Sequence, residues 1–268
     1  MIFVQLSDTH ISDPGSKQDD FTHMSENLLR CVEDINQLDP KPELVLVTGD
    51  IASNGTKKAY LQASRLLDQL EMPYFVVPGN HDERINLLSA FGEAPCPNVL
   101  SIDSKFLINY VVDDYEIRFI GLDSKQSYCS GGELCENTLK WLDKQLAKDT
   151  EKPTVIFMHH PPVKLSILET DEDGFIGVEG LATVIKKYNN IERILCGHVH
   201  LQTFMPWHNT IVSTAPSTGM ELQLDLTMEK PSQFLLEKPV FQVHNWTAEK
   251  TLISYLITAD YNETSYLF

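Results

Sequence analysis

Five short polar motifs, each lying within about three residues of the end of a short apolar run, constrain this chain more than any other feature. They are Asp8-Thr9-His10, Gly49-Asp50, Gly79-Asn80-His81-Asp82, His159-His160-Pro161-Pro162 and Gly197-His198-Val199-His200. Six of the nine histidines fall within four of these segments, and only His23, His208 and His244 lie elsewhere. Imidazoles that serve as surface filler are scattered along a chain; these are gathered. The motifs can meet only if the preceding runs are strands ending at one edge, where α/β sheets place their ligand crevices.

The pattern between the motifs is that of an α/β fold, short apolar runs alternating with amphipathic segments. Strands are expected at 2–6, 44–47, 74–77, 154–158 and 191–196, with later ones at 210–214, 240–245 and 251–257. Residues 25–38 carry Leu28, Leu29, Val32, Ile35 and Leu38 at helical spacing, with Ser25 as N-cap and Asp39-Pro40 as the stop. A second helix, capped by Thr56, runs through Tyr60, Leu61, Leu66, Leu67 and Leu70, and further helices are expected at 136–146 and 181–188. Segments 106–112 and 115–122, joined at Asp113-Asp114, read as a hairpin, which makes the sheet mixed. Pro216, Gly219, Pro231 and Pro239 interrupt the stretch 215–239, expected to be a loop or small cap inserted in a single domain over 1–268.

Taken singly, each motif has an ordinary reading. Asp-x-His occurs on many surfaces, Gly-Asn-His-Asp suits a turn, His-x-His can end a strand, and His-His-Pro-Pro can be a proline-terminated strand. Jointly these readings fail, because independent accidents would have to put suitable side chains at five strand ends. Asp8, His10, Asp50, Asn80, His81, His159, His198 and His200 then form a ligand set that fits two metal ions bridged by one carboxylate. A mixed oxygen and nitrogen shell suits Fe, Mn, Co or Zn better than Mg or Ca.

In order and in kind, these motifs resemble the calcineurin-like metallophosphoesterase superfamily, and they span most of the chain. The His-His-Pro-Pro and Gly-Asn-His-Asp forms are closest to its class III cyclic nucleotide phosphodiesterases and the related glycerophosphodiesterases. The resemblance implies a four-layer αββα sandwich of two mixed sheets, with the dimetal site at strand C-terminal ends. It implies one metal held by Asp8, His10, Asp50 and His200, and a second by Asp50, Asn80, His159 and His198. The implied reaction is hydrolysis of a small phosphodiester, a 3',5'-cyclic nucleotide of the cAMP type or alternatively a glycerophosphodiester, by attack of a metal-bridging hydroxide without a protein nucleophile. His81 follows ligand Asn80 without being assigned to a metal and is expected to act on the leaving-group oxygen or phosphoryl group, with Asp82 orienting it. His160, by the two-residue strand period, is expected to point away from the site in a structural role.

Composition narrows the alternatives. With 268 residues, 42% apolar and 22% charged, the chain can bury a large core. Its formal charge of −17 argues against a nucleic acid polymer or an anionic membrane as partner and leaves bound cations to meet an anionic substrate. That charge also counts against a nuclease. A protein phosphatase of the same superfamily would carry arginine near Gly49-Asp50 and just before Gly-Asn-His, whereas here residues 51–55 lack it and Pro78 precedes Gly79. A phosphomonoesterase and a non-catalytic scaffold of the same fold are the remaining alternatives, and the full ligand set disfavours the scaffold.

Five cysteines without Cys-x-x-Cys spacing fit free thiols in a reducing compartment, although Cys129 and Cys135 could pair across a short loop. No basic leader precedes the first strand and no run nears the roughly 20 apolar residues of a spanning helix, so a cytoplasmic location is expected. Substrate selection is assigned to 12–24, 163–179 and 215–239, where Phe21, His23, Phe175, Met220 and Phe234 could pack a base or alcohol group or serve only as loop packing. The stretch 215–239 could also contact a neighbouring subunit of a homo-oligomer.

Overall fold

The structure is a computed structural model and describes residues 1–96, 100–102 and 105–259. In chain order the strands of its two large sheets are β1 (Ile2–Leu6), β2 (Leu44–Thr48), β3 (Tyr74–Val77), β4 (Tyr110–Val112), β5 (Arg118–Gly121) and β6 (Thr154–Phe157). They continue with β7 (Ile191–Cys196), β8 (Thr203–Trp207), β9 (Thr210–Thr214), β10 (Val240–Trp246) and β11 (Leu252–Thr258). The main helices are α1 (Met24–Gln37), α2 (Lys57–Leu67), α3 (Arg84–Phe91), α4 (Glu136–Leu146) and α5 (Val178–Ile185).

One sheet has the order β11-β10-β1-β2-β3, the other β8-β9-β7-β6-β5-β4. β1, β2 and β3 run parallel, as do β5, β6, β7 and β9, while β10, β11, β8 and β4 pair antiparallel at the flanks. Both sheets are therefore mixed, and the strands that precede the polar motifs all belong to their parallel parts, with β3 at the edge of its sheet. Strand alternation assigns the faces. Phe119, Val155, Phe157 and Leu195 pack toward the first sheet, while Ile120, Ile156 and Ile194 pack on Leu142 and Leu146 of α4 and Leu181 and Ile185 of α5. On the far side of the first sheet lie Leu28, Val32 and Ile35 of α1 with Tyr60, Ala63 and Leu67 of α2. The result is helices, sheet, sheet, helices, the four-layer αββα sandwich.

The layer between the sheets is sealed by Phe3 meeting Phe119 edge-on at 5.0 Å, yet it also contains a buried polar seam. Gln5 Nε2 donates to Thr48 Oγ1 and to the Cys196 carbonyl, both at 2.9 Å, so one side chain ties β1 and β2 to β7 beneath the motif loops. His244 extends the seam to Ser254 at 2.8 Å and stacks on Phe3 at 4.8 Å.

Several local expectations shift. α1 starts at Met24 after His23 in a left-handed conformation (φ 53°), and Ser25 bonds Asp19 instead of capping the helix. Thr56 does cap α2, accepting from the Ala59 amide at 3.2 Å. The hairpin is β4 with β5, and its first strand is broken before Tyr110 because the Asn109 side chain and the Ile108 amide both bond Asp123. β8, with Pro206 inside it, was not expected from the sequence and is an edge strand, where a missing amide hydrogen is tolerated. The stretch 215–239 holds a two-stranded ribbon, Met220–Leu222 with Phe234–Leu236. Cys129 and Cys135 are both free thiols, as are the other three cysteines. No helix among the described residues is long and apolar enough to cross a membrane.

Candidate dimetal site

The loops following β1, β2, β3, β6 and β7 meet over the shared edge of the two sheets, and glycine makes the approach possible. A Cβ on Gly49 would sit 2.5 Å from His159 Nδ1, one on Gly79 2.8 Å from Asp50 Cγ, and one on Gly197 2.6 Å from Asp8 Oδ2. Each of these glycines immediately precedes one of the expected ligands. The backbone then bends sharply: Asp8, His10, Asp50, His198 and His200 all have positive φ, between 41° and 73°. Non-glycine residues in this region cost about 1 kcal/mol or more each, a strain characteristic of functional loops. It turns the five side chains inward within very short segments.

All seven expected ligands converge, and their donor atoms fall into two sets. On one side His10 Nε2 is 3.0 Å from His200 Nε2, His200 Nε2 is 3.4 Å from Asp8 Oδ1, and His10 Nε2 is 3.7 Å from Asp50 Oδ2. On the other, Asn80 Oδ1 lies 3.0 Å from His159 Nε2 and 3.1 Å from His198 Nδ1, while His159 Nε2 is 3.3 Å from Asp50 Oδ2. Asp50 Oδ2 belongs to both sets. Metal–ligand bonds of about 2.1 Å at tetrahedral or octahedral angles separate neighbouring donors by roughly 3.0–3.4 Å. The site also turns lone pairs on one another, an Asn80 carbonyl oxygen on two imidazoles and one imidazole on another, which calls for a proton or metal cation among them.

The outer atoms of four of these ligands, Asp8, Asp50, His159 and His200, are held by the protein, as outer-shell support of metal ligands requires. His159 Nδ1 donates to the Thr48 carbonyl at 2.8 Å and His200 Nδ1 to the Met220 carbonyl at 2.6 Å, so each presents Nε2 to the site. Asp50 Oδ1 accepts from the His81 amide at 2.8 Å, leaving Oδ2 to be shared. Asp8 accepts from Ser7 Oγ at 2.5 Å and from the His198 amide. Lys125 Nζ donates to the Asn80 carbonyl at 2.6 Å.

Burial pushes both Asp8 and Asp50 up, but neighbouring imidazoles outweigh it, His200 for Asp8 and His159 for Asp50, and hold both below the usual carboxylate range. Burial pushes His10 down to about 3 and His198 to about 4, so both are neutral with a lone pair available at neutral pH. Burial also opposes the cationic form of His159, yet Asp50 beside it lifts that ring to about 9. A metal ion there takes the place of a proton.

His81 is exposed, with Nδ1 fixed 2.9 Å from the Ser53 carbonyl and its ring 5.0 Å from that of His10. Asp82, expected to orient His81, is placed otherwise. Its buried carboxylate accepts from the Ile51 and Ala52 amides at 3.1 Å, the Gly79 amide at 2.8 Å and the Tyr60 hydroxyl at 2.8 Å, clamping the Asp50 loop to the Asn80 loop. His160, expected to point away, packs 4.7 Å from His159 and 4.8 Å from His198, because the strand ends at Phe157 and its alternation no longer applies. Asp82 in its observed place was foreshadowed by its three-residue spacing from Gly79; the placement of His160 had no sequence signal.

A cavity of about 280 Å³ opens beside His198 and His200, walled by Glu169, Met220, Leu222 and Phe234. Of the five candidate packing residues, Met220 and Phe234 line it; Phe21 is mostly exposed and Phe175 packs against the second core cluster. The Ser232 amide donates to Glu169 at 2.6 Å, joining the ribbon to the short helix Leu168–Asp173 across this cavity.

Comparison with known proteins agrees with this fold. The family model for calcineurin-like phosphoesterases matches residues 1–202, and the chain belongs to that family of metallophosphoesterases. Among its relatives, an Arcobacter nitrofigilis protein named "Probable glycerophosphodiester phosphodiesterase GpdQ" is 39% identical over 95% of this chain and 92% of its own length. The Nostoc protein named "3',5'-cyclic-nucleotide phosphodiesterase alr5338" is 28% identical over 92% of this chain and 88% of its own. In fold the chain is similar to a dimetal phosphatase from Danio rerio, with a TM-score of 0.66 at 16% identity over 97% of this chain and 99% of that one.

Proposed function

We propose that the protein is a dinuclear metal-dependent phosphodiesterase that hydrolyses small phosphodiesters. The observation that carries this reading is the division of seven donors into two sets sharing Asp50 Oδ2. Asp8, His10, Asp50 and His200 would hold one ion, and Asp50, Asn80, His159 and His198 the other, with Fe, Mn, Co or Zn suited to the mixed donor set. When bound, such a pair activates water and offsets charge on the phosphoryl oxygens. The protein's own contribution is to fix donor geometry and to place His81 at the open side. With Nδ1–H donated to the Ser53 carbonyl, His81 has Nε2 available to the leaving-group oxygen, and the doubly protonated ring would give its Nε2 proton there to assist departure. Asp82 keeps the two loops in register and does not contact substrate.

A 3',5'-cyclic nucleotide is the first reading of the substrate, supported by relatives that bear that name. A glycerophosphodiester is the second reading, favoured by the 39% identity and near-complete coverage of a relative bearing that name. A cytoplasmic location is supported by the five free thiols. Replacing Asn80 or His198 with Ala is expected to reduce hydrolysis of bis(p-nitrophenyl) phosphate to background in metal-replete buffer; near-normal turnover would sink the proposal. A panel of cAMP, cGMP, 2',3'-cyclic nucleotides, glycerophosphoethanolamine and a phosphomonoester, run with Mn, Co, Zn and Fe, decides the substrate, and a phosphomonoester preference overturns the diesterase reading.

A further inference from the structure

His160 is fully buried beside the site, belongs to neither donor set, and has a polar atom with nothing to do. Ser124 Oγ is 2.8 Å from its Nδ1 and donates to or accepts from it, and the His160 amide donates to the same Oγ at 3.1 Å. Its Nε2 is buried and makes no hydrogen bond, with the Ser130 backbone as the remaining polar influence on the ring. An unpaired buried polar atom is destabilising, so an apolar side chain would serve packing better if packing were the whole role.

The ring is wedged between two imidazoles of one donor set, perpendicular to His159 at 4.7 Å and tilted 50° to His198 at 4.8 Å. Those two rings are themselves 5.1 Å apart. A nitrogen of His160 lies within 4.8 Å of a ring nitrogen of each. None of the ring contacts of His160 involves His10 or His200 of the other set. The wedge is backed at its base: a Cβ on Gly132 would sit 2.7 Å from the His160 Cβ, so the Gly132 backbone packs closely against the root of the side chain.

We propose that His160 is the positioning residue of the second metal position alone, setting the angle between His159 and His198 and thereby the affinity of the Asn80–His159–His198 set. The inference rests on the dimetal reading above. Outer-shell groups of this kind alter metal affinity about 10–100-fold.

The test is His160→Asn, which keeps a polar group within reach of Ser124 but removes the wedge, with His160→Gln as a second variant should the first fail to fold by circular dichroism. Full-length protein stripped of metal is titrated with Mn alone, and with Zn alone, by equilibrium dialysis, and ions per chain are counted by mass spectrometry. The wild type is expected to take two ions. The variant should keep the first at wild-type affinity and bind the second about 10–100-fold more weakly, with hydrolysis restored by raising the metal concentration. Equal weakening of both ions, or two ions at wild-type affinity, overturns the inference while leaving the dimetal reading intact. Fewer than two ions on the wild type defeats the dimetal reading itself.

Discussion

The loops at the sheet edge and the ribbon beside them lie within one cavity's width of each other and are built on opposite principles. The edge loops are crowded: a Cβ on their glycines would collide with ligand side chains, five backbones are left-handed, and the outer atoms of Asp8, Asp50, His159 and His200 have fixed partners. The ribbon is open, with Leu224, Leu226, Phe234, Leu235 and Leu236 all exposed. Donor geometry tolerates errors of a few tenths of an ångström, whereas a surface that packs an alcohol or a base tolerates far more. The chemistry is thus held by over-determined packing and the selectivity by lightly held structure.

The sharpest way to break this contrast is to add one carbon to the edge. In Gly197→Ala the new Cβ meets Asp8 Oδ2 at 2.6 Å and Ser7 Oγ closer still, and neither neighbour can retreat, since Ser7 Oγ and the His198 amide both bind the Asp8 carboxylate. A cost of about 3 kcal/mol or more is expected, at the upper end for overpacking. Chemical denaturation should register it together with loss of metal binding. The same substitution at Gly92, where a Cβ meets nothing within 4 Å, pays only for its φ of 70° and should leave metal content intact.

Next in size is Asp82→Ala. It strips three buried amides, those of Ile51, Ala52 and Gly79, and the Tyr60 hydroxyl of their acceptor. At about 1–3 kcal/mol for each unsatisfied donor, less what entering water recovers, the loss should be about 3 kcal/mol. Because the carboxylate spans two ligand loops, metal affinity should fall along with stability. A variant that loses stability but binds both ions at full affinity would show the clamp to be unnecessary for the site.

A smaller effect comes from the polar seam below the edge. Burial pushes His244 down to about 3, helped by the charge of Arg193, against about 6.5 in an unfolded chain. The fold therefore favours the neutral ring: its contribution is complete above about pH 6.5 and is lost as pH falls toward 3, since only the unfolded state takes up the proton in that window. The slope from this one group is at most about 1.4 kcal/mol per pH unit. His244→Gln should flatten the stability curve by that amount between pH 6 and about 4; an unchanged slope would mean that His244 already titrates in the fold.

These effects separate what the sequence could reveal from what it could not. The ligand-bearing strands were legible because buried parallel strands are short continuous apolar runs, and the seven donors because unusual side chains followed each run. The left-handed conformations of Asp8, His10, Asp50, His198 and His200 were not legible, since only glycine announces positive φ in a sequence and these residues carry side chains. The role of Asp82 was misassigned because adjacency to His81 suggested contact, while the tight turn after Gly79 sends the two side chains to different sides. His160 was misjudged by extending the strand period past Phe157, and the ribbon was read only as irregular because its two strands of three residues carry no periodicity long enough to detect.

The weakest effect should come from the open side. Phe234 is 46% exposed and lines the cavity that His198 and His200 close from below. Phe234→Ala removes one wall of that cavity and alters no residue that supplies a donor or hydrogen-bonds one. Stability should stay within about 0.5 kcal/mol of wild type, as for surface changes generally, with both ions retained. The change belongs in the ratio of kcat/KM for cAMP to that for glycerophosphoethanolamine, because trimming an apolar contact is worth about 1–3 kcal/mol only to a substrate whose alcohol reaches it. A fall of about 5-fold or more confined to one diester would assign selectivity to the ribbon, while equal loss for both would place it among the edge loops and dissolve the contrast between the two regions.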